Sequence, residues 1–143
     1  MQRTPRWQDD FPLRDEVEDF AGRSRVFSIT CHQGPLGYTV RAEEQDTNGM
    51  GYEFGAYSET SPYAALGRVR QKMQRALATK HITGSRGNYQ MLHDELRGRI
   101  TSDGERGVIV VVDGQALSMN EVATILATHE GFEFELRMRS GLE

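Results

Sequence analysis

Four basic side chains are the strongest candidates for binding chemistry in this sequence. Arg68, Lys72 and Arg75 follow one another at intervals of four and three residues, so on a helix they lie along one ridge, here called the basic ridge. Arg86 adds charge in the loop that follows. Rows of guanidinium and ammonium groups can bind phosphates or an acidic protein surface. Alternatively, the ridge pairs with carboxylates of the same chain, in the acidic N-terminal segment or at residues 43–46.

Catalytic and metal-binding residues are much less evident. The histidines show neither HxxxH nor HExxH spacing, so the sequence predicts no metal site and no cofactor. They are His32, His81, His93 and His129. Cys31 is the single cysteine, and a lone cysteine near the end of an apolar strand is more typical of a small core residue than of a nucleophile. We therefore expect a protein that is not an enzyme.

Charge is distributed unevenly along the chain. The formal net charge is −4, yet residues 60–93 contain 6 bases and no acid, whereas residues 1–59 contain 11 acids and residues 94–143 contain 10 acids. Affinity for nucleic acid comes from phosphate neutralisation, which the two acidic zones would oppose. The charge distribution therefore favours a protein partner over nucleic acid.

The cysteine usage and the hydropathy predict a compartment. One cysteine cannot form an internal disulfide, which is typical of a reducing environment. The longest apolar run, Val108–Val112, is far shorter than the roughly 20 residues of a membrane-spanning helix. We expect a cytoplasmic protein without a membrane span.

The spacing of apolar residues predicts the strands and helices around the basic ridge. A period of two predicts strands at 26–31, 37–43, 51–58 and 132–139. The segments 96–102 and 107–112 are typical of two further strands that form a hairpin. Ser61-Pro62 is typical of a helix start, and the helix should extend to about Lys80 with the ridge opposite its apolar stripe. Ser118 and Glu121 match a capping box that opens a second helix, which should extend to about Glu130.

The resulting element order is β-β-β-α-β-β-α-β, which indicates an α+β fold with a mixed or antiparallel sheet and two helices. The valine-rich run at 107–112 has no polar side and should be a central strand. The final strand, 132–139, should turn its phenylalanines, Leu136 and Met138 inward. We expect one domain over residues 26–143, preceded by a mobile or docking arm over residues 1–25.

Three motifs in the second half of the chain resemble a family of uncharacterised bacterial domains. They are GVIVVVDG at 107–114, LSMNE at 117–121 and HEGFEF at 129–134. In that family a strand ending in Asp-Gly leads to a capped helix and then to a Glu-Gly-aromatic-x-Phe strand. The strand at 51–54 and the basic helix after it are similar too, so the resemblance extends over residues 26–139. Tryptophan is common in the family where Phe132 stands here, and the cysteine-rich zinc element of some members is absent. The resemblance implies this α+β fold and leaves the function open.

These observations predict a binding module that acts through protein contacts, with a protein partner or a second copy of itself, as an accessory of a bacterial or phage system. The alternative is a protein that binds nucleic acid or a nucleotide through the basic helix at 61–80. The binding residues in either case are Arg68, Lys72, Arg75 and Arg86.

Overall fold

An antiparallel meander of four strands forms the first part of the chain. The structure, a computed structural model, describes residues 6–105 and 107–143. The strands are neighbours in sequence order: β1 (Leu13–Glu18), β2 (Ser24–Gly34), β3 (Gly37–Glu44) and β4 (Glu53–Ser58). Strands β2 to β4 lie where the period of two predicts them, so this part of the sequence analysis is confirmed.

The register of the strands collects apolar side chains on one face of this sheet. Ile29 lies opposite Ala42, and Ala42 lies opposite Phe54. Val40 lies two residues from Ala42, on the same face, and is opposite Ala56. This face needs a covering element, because four of the five side chains are fully buried and the fifth packs against them.

Helix α1 (Pro62–Ala78) covers that face. Ser61 Oγ accepts hydrogen bonds from Tyr63 N at 3.1 Å and from Ala64 N at 3.4 Å, which confirms the predicted start. The helix ends at Ala78, two residues before the predicted end at Lys80. Its buried side chains complete a first core, and they include Ala65, Leu66, Val69, Met73 and Leu77.

The described residues of the N-terminal segment form part of this sheet. A 3-10 helix (Trp7–Asp10) leads into β1, which pairs antiparallel with β2. The sequence pattern misses this strand because Asp15 stands between Leu13 and Val17 on its inward side, where an apolar residue would complete the period of two. The first five residues of the segment predicted as an arm, 1–25, lie outside the described residues.

Two smaller sheets and a second helix follow α1. The elements are β5 (Ile82–Thr83) with β6 (Gln90–Met91), then β7 (Arg99–Ser102), β8 (Val108–Val112) and β9 (Gln115–Ser118), then α2 (Met119–Ala127). Strand β8 pairs with β7 on one side and β9 on the other, which confirms the predicted central position of the valine run. Arg106, in the predicted hairpin turn, lies outside the described residues. A second core forms from Ile82, Val112, Leu117 and Ile125.

Helix α2 begins with the predicted capping box. Ser118 Oγ accepts a hydrogen bond from Glu121 N at 3.2 Å, and Glu121 Oε1 accepts one from Ser118 N at 3.2 Å. The helix ends at Ala127, before the predicted end at Glu130. Strand β9 lies directly before this helix, in residues for which the sequence pattern predicts no strand.

The predicted last strand, at residues 132–139, is absent from the structure, so this prediction is wrong. Residues 132–139 have no regular secondary structure and pair with no strand in the part of the chain that the structure describes. Their alternation of apolar and charged side chains is typical of a strand, but alternation requires a neighbouring edge to become one. That edge is not supplied within the described residues.

The protein therefore has an α+β fold whose sheets are antiparallel. The meander and the three-stranded sheet are separate, and each has its own cluster of buried apolar side chains. A single domain over residues 26–143 stays a prediction. Of the helices that the structure describes, none combines the length and apolar character that crossing a membrane would need.

Candidate functional site

The basic ridge lies beside the outer edge of β4. Lys72 Nζ donates a hydrogen bond to the carbonyl oxygen of Gly55 at 2.7 Å, and the Arg68 guanidinium donates to that of Tyr57. Strand β4 is an edge strand of the meander, so carbonyl groups on its outer side have no ladder partner. Two of the three ridge cations therefore bind backbone of the same chain.

Lys72 is further tied to the C-terminal residues. Its ammonium group donates to the carbonyl oxygen of Gly141 at 3.4 Å. Partial burial lowers the pKa of Lys72, and the nearby charges of Arg68 and Arg139 act in the same direction. This side chain links α1, β4 and the C-terminal residues.

Two further cations of this stretch contact the N-terminal segment. Arg70 binds Asp15 through two hydrogen bonds of 2.9 and 3.0 Å, and Lys80 Nζ lies 5.7 Å from the centre of the Phe20 ring. The sequence leaves open whether the basic residues of α1 pair with carboxylates of the acidic N-terminal segment, and Arg70 makes such a pair. Arg75 is exposed, and its side chain has no partner within the described residues.

Arg86 is bound away from α1. Its guanidinium forms an ion pair with Glu121 at 3.1 Å and donates to the carbonyl oxygen of Ala116 at 3.3 Å. Because Glu121 closes the capping box of α2, Arg86 supports the start of that helix. The structure thus divides the four predicted binding residues between α1 and the first turn of α2.

A matched pair of substitutions tests whether the basic ridge stabilises the fold. Lys72→Met should lower the free energy of unfolding by about 1 kcal/mol, because a charged hydrogen bond to β4 is lost while the aliphatic stem is kept. Arg75→Met should change it by less than about 0.5 kcal/mol, because no partner is removed. Urea unfolding followed by circular dichroism measures both, and equal effects would contradict the assignment.

A run of exposed apolar side chains lies in residues 132–139, here called the C-terminal segment. Its apolar side chains alternate with charged ones, and their exposed fractions are 63% for Phe132, 88% for Phe134, 77% for Leu136 and 67% for Met138. The charged positions between and after them are Glu133, Glu135, Arg137 and Arg139. Residues 133–139 make no backbone hydrogen bond to any other part of the chain that the structure describes.

The C-terminal segment is held at both ends. At its start the Phe132 ring packs edge-on against His129, with ring centres 4.9 Å apart. After its end, Leu142 lies against β4, because a Cβ on Gly55 would come within 2.9 Å of Leu142 Cδ2. The segment therefore connects the end of α2 to the edge of the meander while its middle stays open to solvent.

Further apolar side chains are exposed around the second core. Met119 and Leu126 of α2 are each 52% exposed, and they lie seven residues apart on one side of the helix. Ile100 on β7 is 56% exposed and Val108 on β8 is 49% exposed. Contiguous exposed apolar surface marks interaction sites more often than isolated residues do, and the C-terminal segment follows directly from this region.

A buried ionic cluster, which sequence reasoning misses, lies in the first half. Arg25 forms ion pairs of 3.0 Å with both Asp19 and Glu44, and the three side chains are 11%, 1% and 8% exposed. The Arg25 guanidinium also lies 5.5 Å from the centre of the Tyr52 ring. Asp19 reaches Arg25 across the β1–β2 turn, and Glu44 reaches it from the neighbouring strand β3, 19 residues away in sequence. No helix or strand spacing rule brings the three together.

Hydrogen bonds keep Asp19 ionised inside this cluster. Burial by itself would raise the pKa of Asp19, but donors from Arg23 N, the Arg25 side chain and Ala21 N outweigh burial and hold that pKa below its ordinary value. Asp19 Oδ1 accepts from Ala21 N at 2.8 Å and from Arg23 N at 2.9 Å. The carboxylate thus closes the β1–β2 turn and anchors Arg25.

Asp113 organises the start of the second half. One carboxylate oxygen accepts hydrogen bonds from His81 N at 2.7 Å and from Ile82 N at 2.9 Å, and the other lies 2.8 Å from His81 Nδ1. In the sequence, the pair Asp113-Gly114 is typical of a turn. The structure shows that the Asp113 side chain also fastens the chain after α1 to the end of β8.

The same turn lies against the first half of the chain. Gly114 has φ +74°, and a Cβ there would come within 2.7 Å of the Tyr52 ring. Burial, together with the charge of Asp113, raises the pKa of Tyr52. The Tyr52 hydroxyl is buried and has no hydrogen-bond partner within the described residues. Tyr52 therefore acts as a packing surface between the ionic cluster and the turn.

Cys31 is partly buried and packs against the first core. Burial raises the pKa of its thiol, which lowers the thiolate fraction and the reactivity at neutral pH. The neighbouring His32 is exposed and follows Cys31 in the same strand, so their side chains point to opposite faces.

Comparison with known proteins divides the chain at the end of α1. No significant match to a curated protein or to a solved structure was found. Residues 9–78 match one domain of unknown function, DUF7686, and residues 80–143 match another, DUF7713. The boundary follows Ala78, where α1 ends, and it separates the two core clusters. The chain therefore consists of two adjoining segments that match uncharacterised domain families, DUF7686 and DUF7713.

Proposed function

We propose that this chain is a protein-binding module and that its C-terminal segment is the contact. The observation that supports the proposal is the alternation of four large, mostly exposed apolar side chains with charged ones. From residue 133 to residue 139 the backbone makes no hydrogen bond to any other described part of the chain. Burying each such side chain is worth about 1.5–3 kcal/mol. A chain with this pattern gains both that burial and a hydrogen-bond ladder when it adds to the edge of another strand.

Binding of nucleic acid through the basic helix is less well supported, because several of its basic side chains already bind groups of the same chain. Arg68 and Lys72 bind carbonyl groups of β4, and Arg70 binds Asp15. Phosphate binding by these groups would first have to break those contacts. A cytoplasmic setting fits a chain with one partly buried cysteine. The role as an accessory of a bacterial or phage system stays a prediction.

Site-specific photocrosslinking in the native cells tests the proposal. A photoreactive benzoylphenylalanine in place of Phe134 should crosslink to a polypeptide, because this side chain would be buried in the complex. The matched control replaces Leu36, which is 80% exposed in the β2–β3 turn of the first half, and should give no crosslink. Absence of a crosslink from position 134, or equal crosslinking from position 36, would overturn the proposal.

A further inference from the structure

We infer that the partner of the C-terminal segment is the same segment of a second copy of this chain, paired antiparallel about Leu136. The inference rests on the proposed function and names the partner of that contact. A second copy is favoured by the order of the charges within the segment. Its acids, Glu133 and Glu135, precede Leu136, and its bases, Arg137 and Arg139, follow it.

Antiparallel pairing centred on Leu136 makes this order self-complementary. Each Glu135 lies opposite Arg137 of the other copy, and each Glu133 lies opposite Arg139. Opposite charges at directly facing positions stabilise antiparallel strands, and like charges destabilise them. The arrangement is a twofold, isologous contact, in which every interaction occurs twice.

The apolar side chains match in the same register. Phe134 faces Met138 of the other copy, and Leu136 faces Leu136, so all of them share one side of the two-stranded ribbon. Within each chain the side chains of Glu135 and Arg137 already lie on one side, 3.4 Å apart, and are about 80% exposed. Alternation about the backbone is therefore compatible with the structure.

In other registers either the charged side chains or the apolar side chains no longer face suitable partners. A centre on Glu135 sets two glutamates face to face, and a centre on Arg137 does the same with two arginines. A centre between Glu135 and Leu136 places apolar side chains opposite charged ones. In-register parallel pairing puts every charge beside its own kind.

The apolar side of such a ribbon requires a cover, because an isolated two-stranded ribbon is only marginally stable. The exposed Met119 and Leu126 on α2 supply apolar surface in the same part of the chain. Gly131, with φ +89°, lies between α2 and the segment and permits the sharp change of direction that a fold-back needs.

A charge-exchange experiment tests the inference in the full chain. One variant carries Glu133→Arg with Glu135→Arg, and the other carries Arg137→Glu with Arg139→Glu. Light scattering should show wild type at twice the 16.2 kDa chain mass. Each variant alone should dissociate with a constant raised by about 10- to 100-fold. An equimolar mixture should form a heterodimer of near wild-type affinity, because every charged pair is again opposite in sign.

A disulfide tests the register independently. In a Cys31→Ala background, Leu136→Cys should form an intermolecular disulfide under mild oxidation, because the two positions face each other across the twofold axis. Phe134→Cys is the control and should not, because its two copies lie four positions apart along the ribbon, about 13 Å. Circular dichroism establishes that each variant is folded.

The outcomes separate this inference from the proposed function. A wild type that stays monomeric, or a mixture of charge variants that does not associate, overturns the second copy as partner. If Phe134 then crosslinks to a protein of another mass, the proposed function stands with a different partner. If Phe134 crosslinks to nothing, both fail.

Discussion

Replacement of Arg25 by methionine is expected to lower the free energy of unfolding by about 3–5 kcal/mol, because it leaves two buried carboxylates without their shared cation. Asp19 and Glu44 both bind this guanidinium at 3.0 Å. Methionine fills a similar length of the site, so the loss reports the charge and its hydrogen bonds more than a cavity. Urea unfolding at neutral pH measures the change.

The matched control for Arg25→Met is Arg70→Met. Arg70 also donates two charged hydrogen bonds, both of them to Asp15, but its side chain is 44% exposed. Exposed ion pairs contribute about 0–1 kcal/mol, so Arg70→Met should cost much less. Similar losses from the two substitutions would contradict the importance assigned to burial.

The ionic cluster also makes stability depend on pH. Because the pKa of Asp19 is lower in the folded chain than in the unfolded one, its contribution is fully present above the unfolded pKa and is lost as the pH falls through the folded pKa. Wild type should therefore lose stability on acidification below about pH 4. In Arg25→Met a donor that lowers this pKa is missing, so the acid-dependent loss should be smaller.

Asp113→Ala is expected to lower the free energy of unfolding by about 3–5 kcal/mol. It removes the acceptor of two backbone N–H groups, those of His81 and the buried Ile82, and leaving such groups unpaired costs about 1–3 kcal/mol each. The position has φ +53°, where alanine is strained by a further 1–2 kcal/mol, approximately. Thermal and urea unfolding both measure the loss.

Asp113→Asn is the control for that substitution. Asparagine tolerates the left-handed conformation, and its carbonyl oxygen can accept from both backbone N–H groups. Its cost should therefore be about 1 kcal/mol, mainly from the lost charge beside His81. If the two variants lost equal stability, the charge rather than the backbone hydrogen bonds would be the source of the effect.

Much of the local structure could be predicted from the sequence. The period of two identifies β2, β3 and β4, and an uninterrupted apolar run identifies β8. The side chains of Ser61 and Ser118 mark the starts of both helices. These features depend on neighbours within a few residues, so their signal is contained in short windows. Strand β1 escapes detection because Asp15, which interrupts its pattern, acquires its partner Arg70 only in three dimensions.

For the candidate site, the sequence predicts which residues are charged but not which groups they bind. The sequence singles out the basic ridge by charge, yet the structure ties Arg68 and Lys72 to β4 and Arg86 to α2. A charged side chain in the sequence has no visible partner until the chain folds. The C-terminal segment shows the reverse, because its alternation predicts a buried strand while its apolar side chains are exposed.

The sequence by itself determined the α+β character, the helix starts and the alternating pattern of residues 132–139, since each follows from local propensity and periodicity. Only the tertiary structure decided which charges are neutralised and that Arg25 joins Asp19 to Glu44. It also decided that the C-terminal segment has no neighbouring strand among the residues that the structure describes. The physical reason is that ion pairs and strand ladders join residues far apart in the chain, and their energies depend on burial and register that no local window contains.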